Sequence, residues 1–275
     1  MIGIVICVVF MIVFGCMYLY MLKPNSGRKG RMRPFEEVYI AHRGLFDNHT
    51  KAPENSLSAF RKAVNAGYGI ELDVQLTKDG QLVVFHDAIL DRMCDIEKKL
   101  TDCTYKELQQ YTLADSEERI PLLKDVLKTV KGKVPLIIEI KPEGDFIGTA
   151  RMLSSMMKSY RGLYCVESFH PGVVHWFRKH DPDVIRGQLS TNYKRDHIQV
   201  SPVVSMLLSN LLLNFYGKPD FIAYHYRYAD DFSYRLCKKL YNFESVGWTF
   251  RSQKAMDENK DRFDVYIFDS FIPNK

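Results

Sequence analysis

From Glu37 onward the chain alternates short apolar runs with amphipathic stretches, and it does so eight times. The runs fall at 38–41, 70–75, 136–140, 163–166, 184–188, 221–223, 245–249 and 265–268, and they are rich in Val, Ile, Leu and Phe. Short runs of this length, separated by amphipathic stretches, read as strands. Between them Leu57, Phe60 and Val64, and then Leu123, Val126 and Val130, recur at helical spacing. In 53–56, Pro-Glu-Asn-Ser, Asn55 or Ser56 supplies an N-cap for the first such helix. Strand–helix alternation forces a parallel sheet with helical crossovers, and eight units in roughly 240 residues close as a TIM (β/α)8 barrel. No internal sequence repeat or low-complexity tract competes with that reading.

Two segments exceed the minimal plan. Lys78-Asp79-Gly80-Gln81 is a turn signal joining the second strand to 82–85, a hairpin that delivers His86. Residues 88–120 form an insertion after the second strand, too long for a plain βα loop and expected to cap the barrel mouth. Residues 203–215 carry Met206, Leu207, Leu208, Leu211, Leu212 and Leu213. At about 13 residues this segment is too short to cross a bilayer. It reads as a buried barrel helix, with a membrane-dipping lip as the alternative.

The amino terminus is a separate unit. Residues 1–22 contain no charged side chain, and at 1.5 Å per residue they span roughly 33 Å, enough for a bilayer core. A basic n-region and a small-residue cleavage site are both missing, so an anchor is expected rather than a cleaved leader. Residues 23–36 read as a basic juxtamembrane linker, and 37–275 as the barrel. Lys23, Arg28, Lys29, Arg31 and Arg33 match the whole-chain excess of +5. Basic residues beside a span favour the cytoplasmic side, which gives a single-pass protein with its catalytic domain in the cytoplasm. The scattered Cys94, Cys103, Cys165 and Cys237 have neither disulfide nor zinc spacing, in keeping with a reducing compartment. With no basic patch beyond the linker, nucleic acid is not implied, and no obligate protein partner is evident.

Chemistry concentrates where apolar runs give way to loops. Glu71 and Asp73 are two apart on one strand and therefore share a face. Two carboxylates held together in a buried place need a cation or a proton between them. Glu139 and Lys141 repeat the spacing, His42 and Arg43 end the first strand, and His86 follows the hairpin. Taken singly, each has an ordinary reading. Glu-x-Asp is usually a solvated edge strand, His42 a hydrogen-bonded surface or core histidine, and Lys141 an exposed charge. Together, at one barrel mouth, they suit metal-assisted cleavage of a phosphodiester.

The ordered set His42-Arg43-Gly44, Pro53-Glu54-Asn55-Ser56, Glu71-Leu72-Asp73-Val74, Thr77-Lys78-Asp79-Gly80, His86-Asp87, Glu139-Ile140-Lys141 and Trp248-Thr249 resembles the glycerophosphodiester phosphodiesterase family across residues 37–273. The resemblance implies hydrolysis of glycerophosphodiesters to glycerol 3-phosphate and an alcohol. It implies Glu71, Asp73 and Glu139 as ligands of one divalent cation, Mg²⁺ or Ca²⁺. It also implies His42 and His86 as general acid and base, and Arg43 and Lys141 as phosphate ligands. Trp248 would line the pocket, with Glu54, Asn55, Asp87 and Phe169 in support. In Phe268-Asp269-Ser270 the family's threonine before the aspartate is replaced. Two other readings stay open: a lipid phosphodiester such as a lysophospholipid, reached from the bilayer, and a catalytically silent binding module.

Overall fold

The computed structural model describes residues 1–274. Helices α1 (Ile2–Leu22) and α2 (Arg33–Glu36) precede strand β1 (Ile40–Ala41). Helix α3 (Leu57–Ala66) leads to β2 (Gly69–Leu76), which turns back into β3 (Leu82–Val84). The short helices α4 (Asp91–Cys94) and α5 (Tyr105–Leu108) come before α6 (Leu123–Val130) and β4 (Leu136–Ile140). Alternation then continues through α7 (Phe146–Met157), β5 (Tyr164–Ser168), α8 (Pro171–His180) and β6 (Arg186–Ser190). Helices α9 (Pro202–Ser209) and α10 (Asn214–Gly217) lead to β7 (Phe221–His225), followed by α11 (Phe232–Leu240), β8 (Glu244–Phe250), α12 (Gln253–Glu258) and β9 (Val265–Phe268).

Eight of these strands form a closed parallel ring in the order β1-β9-β8-β7-β6-β5-β4-β2, with β1 also pairing to β2. Strand β3 hangs antiparallel on β2. The expected TIM barrel and the amino-terminal apolar helix are both present. Local chemistry places the first unit: the Ser56 side chain accepts from the Ala59 N–H to start α3, and Gly67 at φ 76° ends it.

The 88–120 insertion builds a core of its own. Val83, Phe85, Leu90, Met93, Leu100, Cys103 and Leu108 are buried together beside β3. The segment is tied to the hairpin by Lys78 N–H to Cys103 O at 2.8 Å.

The 203–215 segment departs from the buried-helix expectation. No residue of α9 is buried, and Val203, Val204 and Met206 are 62%, 40% and 52% exposed. Leu211 and Leu212, past the helix end, are buried in the core, and Leu207 packs against it partly buried. The helix follows β6 and sits on the rim: the Ser190 hydroxyl at the strand's carboxyl end donates to Leu208 O at 2.8 Å.

The basic stretch does not stay at the end of α1. It runs beneath the amino-terminal ends of the strands, where Met32 and Phe35 are fully buried against Ile40, Ile137, Phe221 and Ile267. Arg28 lies 3.5 Å from buried Asp220, and Lys29 donates to Asn242 at 3.0 Å. The segment thus plugs the barrel floor, away from the mouth.

Candidate active site at the barrel mouth

Parallel register lines up acids across three strands: Asp73 of β2 pairs with Glu139 of β4, and Glu139 with Glu167 of β5. Glu71 lies two residues before Asp73 on the same face. All four are buried. Glu71, Asp73 and Glu139 each offer an oxygen within 4.8 Å of the others. Lys141 Nζ sits 3.4 Å from Asp73 Oδ1 and 2.9 Å from Glu139 Oε1. Neither oxygen has a well-aligned hydrogen bond, and Glu167 Oε2 has no partner either.

Electrostatics explain why this cluster needs something more. Burial, with Asp73, Glu139 and Glu167 close by, pushes the Glu71 carboxyl well above its ordinary range. Burial and the charges of Glu139 and Asp73 do the same to Glu167. Burial would also raise Asp73, but Lys141, His86 and Arg43 outweigh it and hold that carboxyl low. Lys141 and Arg43 are raised, because their carboxylate neighbours overcome burial. With all four ionised, the carboxylates would outnumber Lys141 and Arg43 by two charges, an excess that a divalent cation would balance. An all-oxygen donor set suits a hard ion such as Mg²⁺ or Ca²⁺. Glu71, Asp73 and Glu139 fit that role, and Glu167 lies within the same field.

The cationic side of the mouth is built by a tight turn after β1. Gly44 N–H closes it onto Ala41 O at 3.2 Å, with Arg43 at φ 55° and Gly44 at φ 84°. A side chain at Gly44 would meet the Ala59 backbone and the Phe60 ring at 3.0 Å, so the turn requires glycine. It aims Arg43 inward: its N–H donates to Glu71 Oε2 at 3.1 Å and its guanidinium to Glu54 Oε1 at 2.6 Å, with Nε 3.6 Å from Asp73. The Asn55 amide donates to Asp73 Oδ2 at 2.8 Å.

Both histidines are oriented by acids. His42 Nδ1 pairs with Asp269 Oδ2 at 2.8 Å, while Nε2 lies 3.9 Å from Glu71 Oε2. Burial would raise Asp269, but the His42 hydrogen bond keeps it at about 2. His86 Nδ1 pairs with Asp87 Oδ1 at 2.6 Å. The Gln75 amide, donating to Phe85 O and Asp87 O at 2.9 and 3.0 Å, holds that loop. On the far wall Phe169 and Trp248 meet edge to face at 5.6 Å.

Three participants escape a sequence reading. Glu167 stands two residues before Phe169 in the chain, and only strand register shows that it joins the acids. Asp269 is visible as the end of β9, but its partner lies 227 residues away. Arg92, inside the insertion, donates to both Glu54 oxygens at 2.7 and 2.9 Å and to Asp87 Oδ2 at 2.7 Å. Burial would raise Glu54, yet Arg92 and then Arg43 keep it at about 2. Arg92 thereby links the insertion to the loops carrying Arg43 and His86.

Known proteins resemble this chain in sequence and in fold. The sequence profile of the glycerophosphoryl diester phosphodiesterase family matches residues 42–271. A glycerophosphodiester phosphodiesterase of Bacillus altitudinis is 36% identical over 157 residues, covering 53% of this chain and 63% of that protein. Glycerophosphodiester phosphodiesterase 1 of Mus musculus is 33% identical over 168 residues, covering 56% and 49% respectively. The chain thus spans less than two thirds of the length of these curated relatives. Among solved structures, a glycerophosphodiester phosphodiesterase from Thermotoga maritima superposes with a TM-score of 0.63 at 26% identity, covering 84% of this chain and 94% of that one. An Oleispira antarctica phosphodiesterase, solved in complex with the product sn-glycerol-3-phosphate, shares the fold with a TM-score of 0.69 at 22% identity, covering 85% and 92%. With its profile match running from His42 at the end of the first strand to beyond Asp269 at the end of the last, the chain belongs to the glycerophosphoryl diester phosphodiesterase family.

Proposed function

We propose that the protein hydrolyses glycerophosphodiesters to sn-glycerol 3-phosphate and an alcohol, held to a membrane by residues 1–22 with its catalytic domain on the cytoplasmic side. The observation that carries the reaction class is the buried carboxylate cluster facing Arg43 and Lys141, with a carboxylate-bound histidine on either side. A divalent cation bound by Glu71, Asp73 and Glu139 would supply Lewis-acid polarisation of a phosphoryl oxygen. Arg43 and Lys141 bind the phosphate, Arg43 through its fork and Lys141 as a point charge. Asp269 accepts from His42 Nδ1–H, which leaves Nε2 facing the site to take or give a proton. Asp87 sets His86 in the same way. Imidazole suits both tasks near neutral pH. Trp248 and Phe169 form the apolar wall against which the glycerol or headgroup lies.

The direct test is release of glycerol 3-phosphate from glycerophosphocholine by the full-length protein in detergent, with Mg²⁺, Ca²⁺ or EDTA. Release with one of the cations and none in EDTA is expected. A folded protein inactive with every divalent cation would sink the proposal and favour a silent binding module.

Asp269→Asn checks the tautomer argument. Its amide would present Nδ2–H or Oδ1 to His42 and no longer select the Nδ1–H form. Turnover is expected to fall about 10²-fold or more with KM little changed, since Asp269 does not touch substrate. A kcat at the parent level would show that the pair is only structural.

A further inference from the structure

The end of α1 is locked to the barrel in a definite direction. The Tyr18 hydroxyl is 2.7 Å from the Ser233 hydroxyl, which donates to the Asn210 side chain at 2.6 Å. One turn later Leu22 O accepts from the Asn214 amide at 2.9 Å and from Cys237 Sγ at 3.4 Å. Lys23 O then accepts from Lys218, and Asn25 N–H donates to Pro219 O at 2.8 Å. Residues 18–25 therefore track 210–219 step by step, from the rim at the end of α9 down to the start of β7. Strand β7 begins at the barrel floor and ends at the mouth, so α1 descends from mouth to floor. Followed backwards, residues 2–17 project beyond the mouth, and all are exposed.

That projection carries no charged residue, and no polar spacer lies between it and the residues packed on the barrel. A bilayer crossed by this helix would therefore reach the rim itself. The rim carries apolar surface where that contact falls: Ile198, Val200, Val203, Val204 and Met206 are 39–62% exposed, and Phe232 beside Tyr18's partner is 72% exposed. Exposed apolar clusters of this kind mark an interaction site. Lys194, Arg195 and Arg227 line an open groove beside it, suited to anionic headgroups. Tyr18 and Tyr20 stand where interfacial aromatics are favoured.

We propose that α1 and the 198–206 lip dock the barrel mouth-first on the bilayer that α1 crosses. Resting on the phosphodiesterase reading above, this gives the site access to a glycerophosphodiester still carrying an acyl chain. In that reaction water's oxygen joins phosphorus and the P–O bond to the headgroup breaks. The headgroup alcohol leaves with a proton, and an acylated glycerol phosphate stays in the membrane.

The full-length protein carrying Cys7→Ser and Cys16→Ser is spin-labelled at Val203→Cys, or at Lys179→Cys on the outer end of α8. Each is reconstituted in phosphatidylcholine–phosphatidylglycerol vesicles, with the parent lacking an added cysteine as baseline. The label at 203 is expected to be open to oxygen and shielded from a water-soluble nickel chelate, and the label at 179 the reverse. Equal nickel access at both positions overturns the docking. In parallel, Val203→Asp with Met206→Asp is expected to lower turnover of vesicle-borne lysophosphatidylcholine about tenfold or more, leaving soluble glycerophosphocholine within about twofold. An equal loss on both substrates overturns the docking role of the lip. Shielding at 203 with neither substrate cleaved under Mg²⁺ or Ca²⁺ supports the docking and rejects the phosphodiesterase reading.

Discussion

Alanine at His42 is expected to lower turnover of a glycerophosphodiester by about 10²–10⁴-fold, the usual contribution of a positioned acid or base. The structural cost of the change is small for a specific reason. Asp269, the ring's partner, keeps Arg251 at 3.0 Å and Ser270 at 2.8 Å, so no buried charge is stranded. The same holds at His86, where Asp87 retains Arg92 at 2.7 Å. Single and double alanine variants should therefore melt close to the parent while kcat collapses. The loss in the double variant should be well short of the product of the two singles, as for groups acting in one step. Full activity in the double variant would remove both histidines from the proposed chemistry.

A protein beginning at residue 34, the natural choice for an anchor-free barrel, is expected to be severely destabilised. It lacks Leu22 and Met32, both 0% exposed, each worth about 1.5–3 kcal/mol in burial. It also strips Arg28 and Asn25 from Asp220, which is 1% exposed and keeps only Arg186, through its N–H at 3.1 Å and its guanidinium at 3.7 Å. Breaking a buried ion pair from one side costs about 3–5 kcal/mol. Against a total stability of about 5–15 kcal/mol, the remainder is marginal. A start at residue 17 keeps every one of these contacts. Thermal melts of the two should differ by about 10 °C or more, with the shorter chain recovered mainly as aggregate. Melting points within a few degrees would show that the floor plug contributes little.

The strands are legible because each carries a short apolar stretch, such as Leu136–Ile138 or Val265–Phe268, between amphipathic segments of helical period. The edges were blurred where the mouth demands polar inward residues: β5 extends through Glu167 and Ser168, and β8 begins at Glu244. Helix α9 misled because a Leu-, Val- and Met-rich segment looks the same whether it faces a core or a lipid. The floor plug was hidden for the opposite reason, as Met32 and Phe35 sit in a segment whose charges suggest solvent. The acids converge because they hold registered positions on β2, β4 and β5, and the histidines because the end of β1 and the returning hairpin strand reach the same mouth. Their orientation by Asp269 and Arg92 depends on contacts distant in sequence, which spacing alone does not encode.

The two-residue strand β1 is also the seam of the ring. Ile40 and Ala41 pair with β2 on one side and with Ile267 and Phe268 on the other. During synthesis the ribosome must release Phe268 from its exit tunnel before that seam can form. Until then the growing chain holds seven neighbouring strands in an open arc. A premature stop or a frameshift near codon 260 would strand that open arc as quality-control substrate, with His42 lacking Asp269, the residue that aligns it.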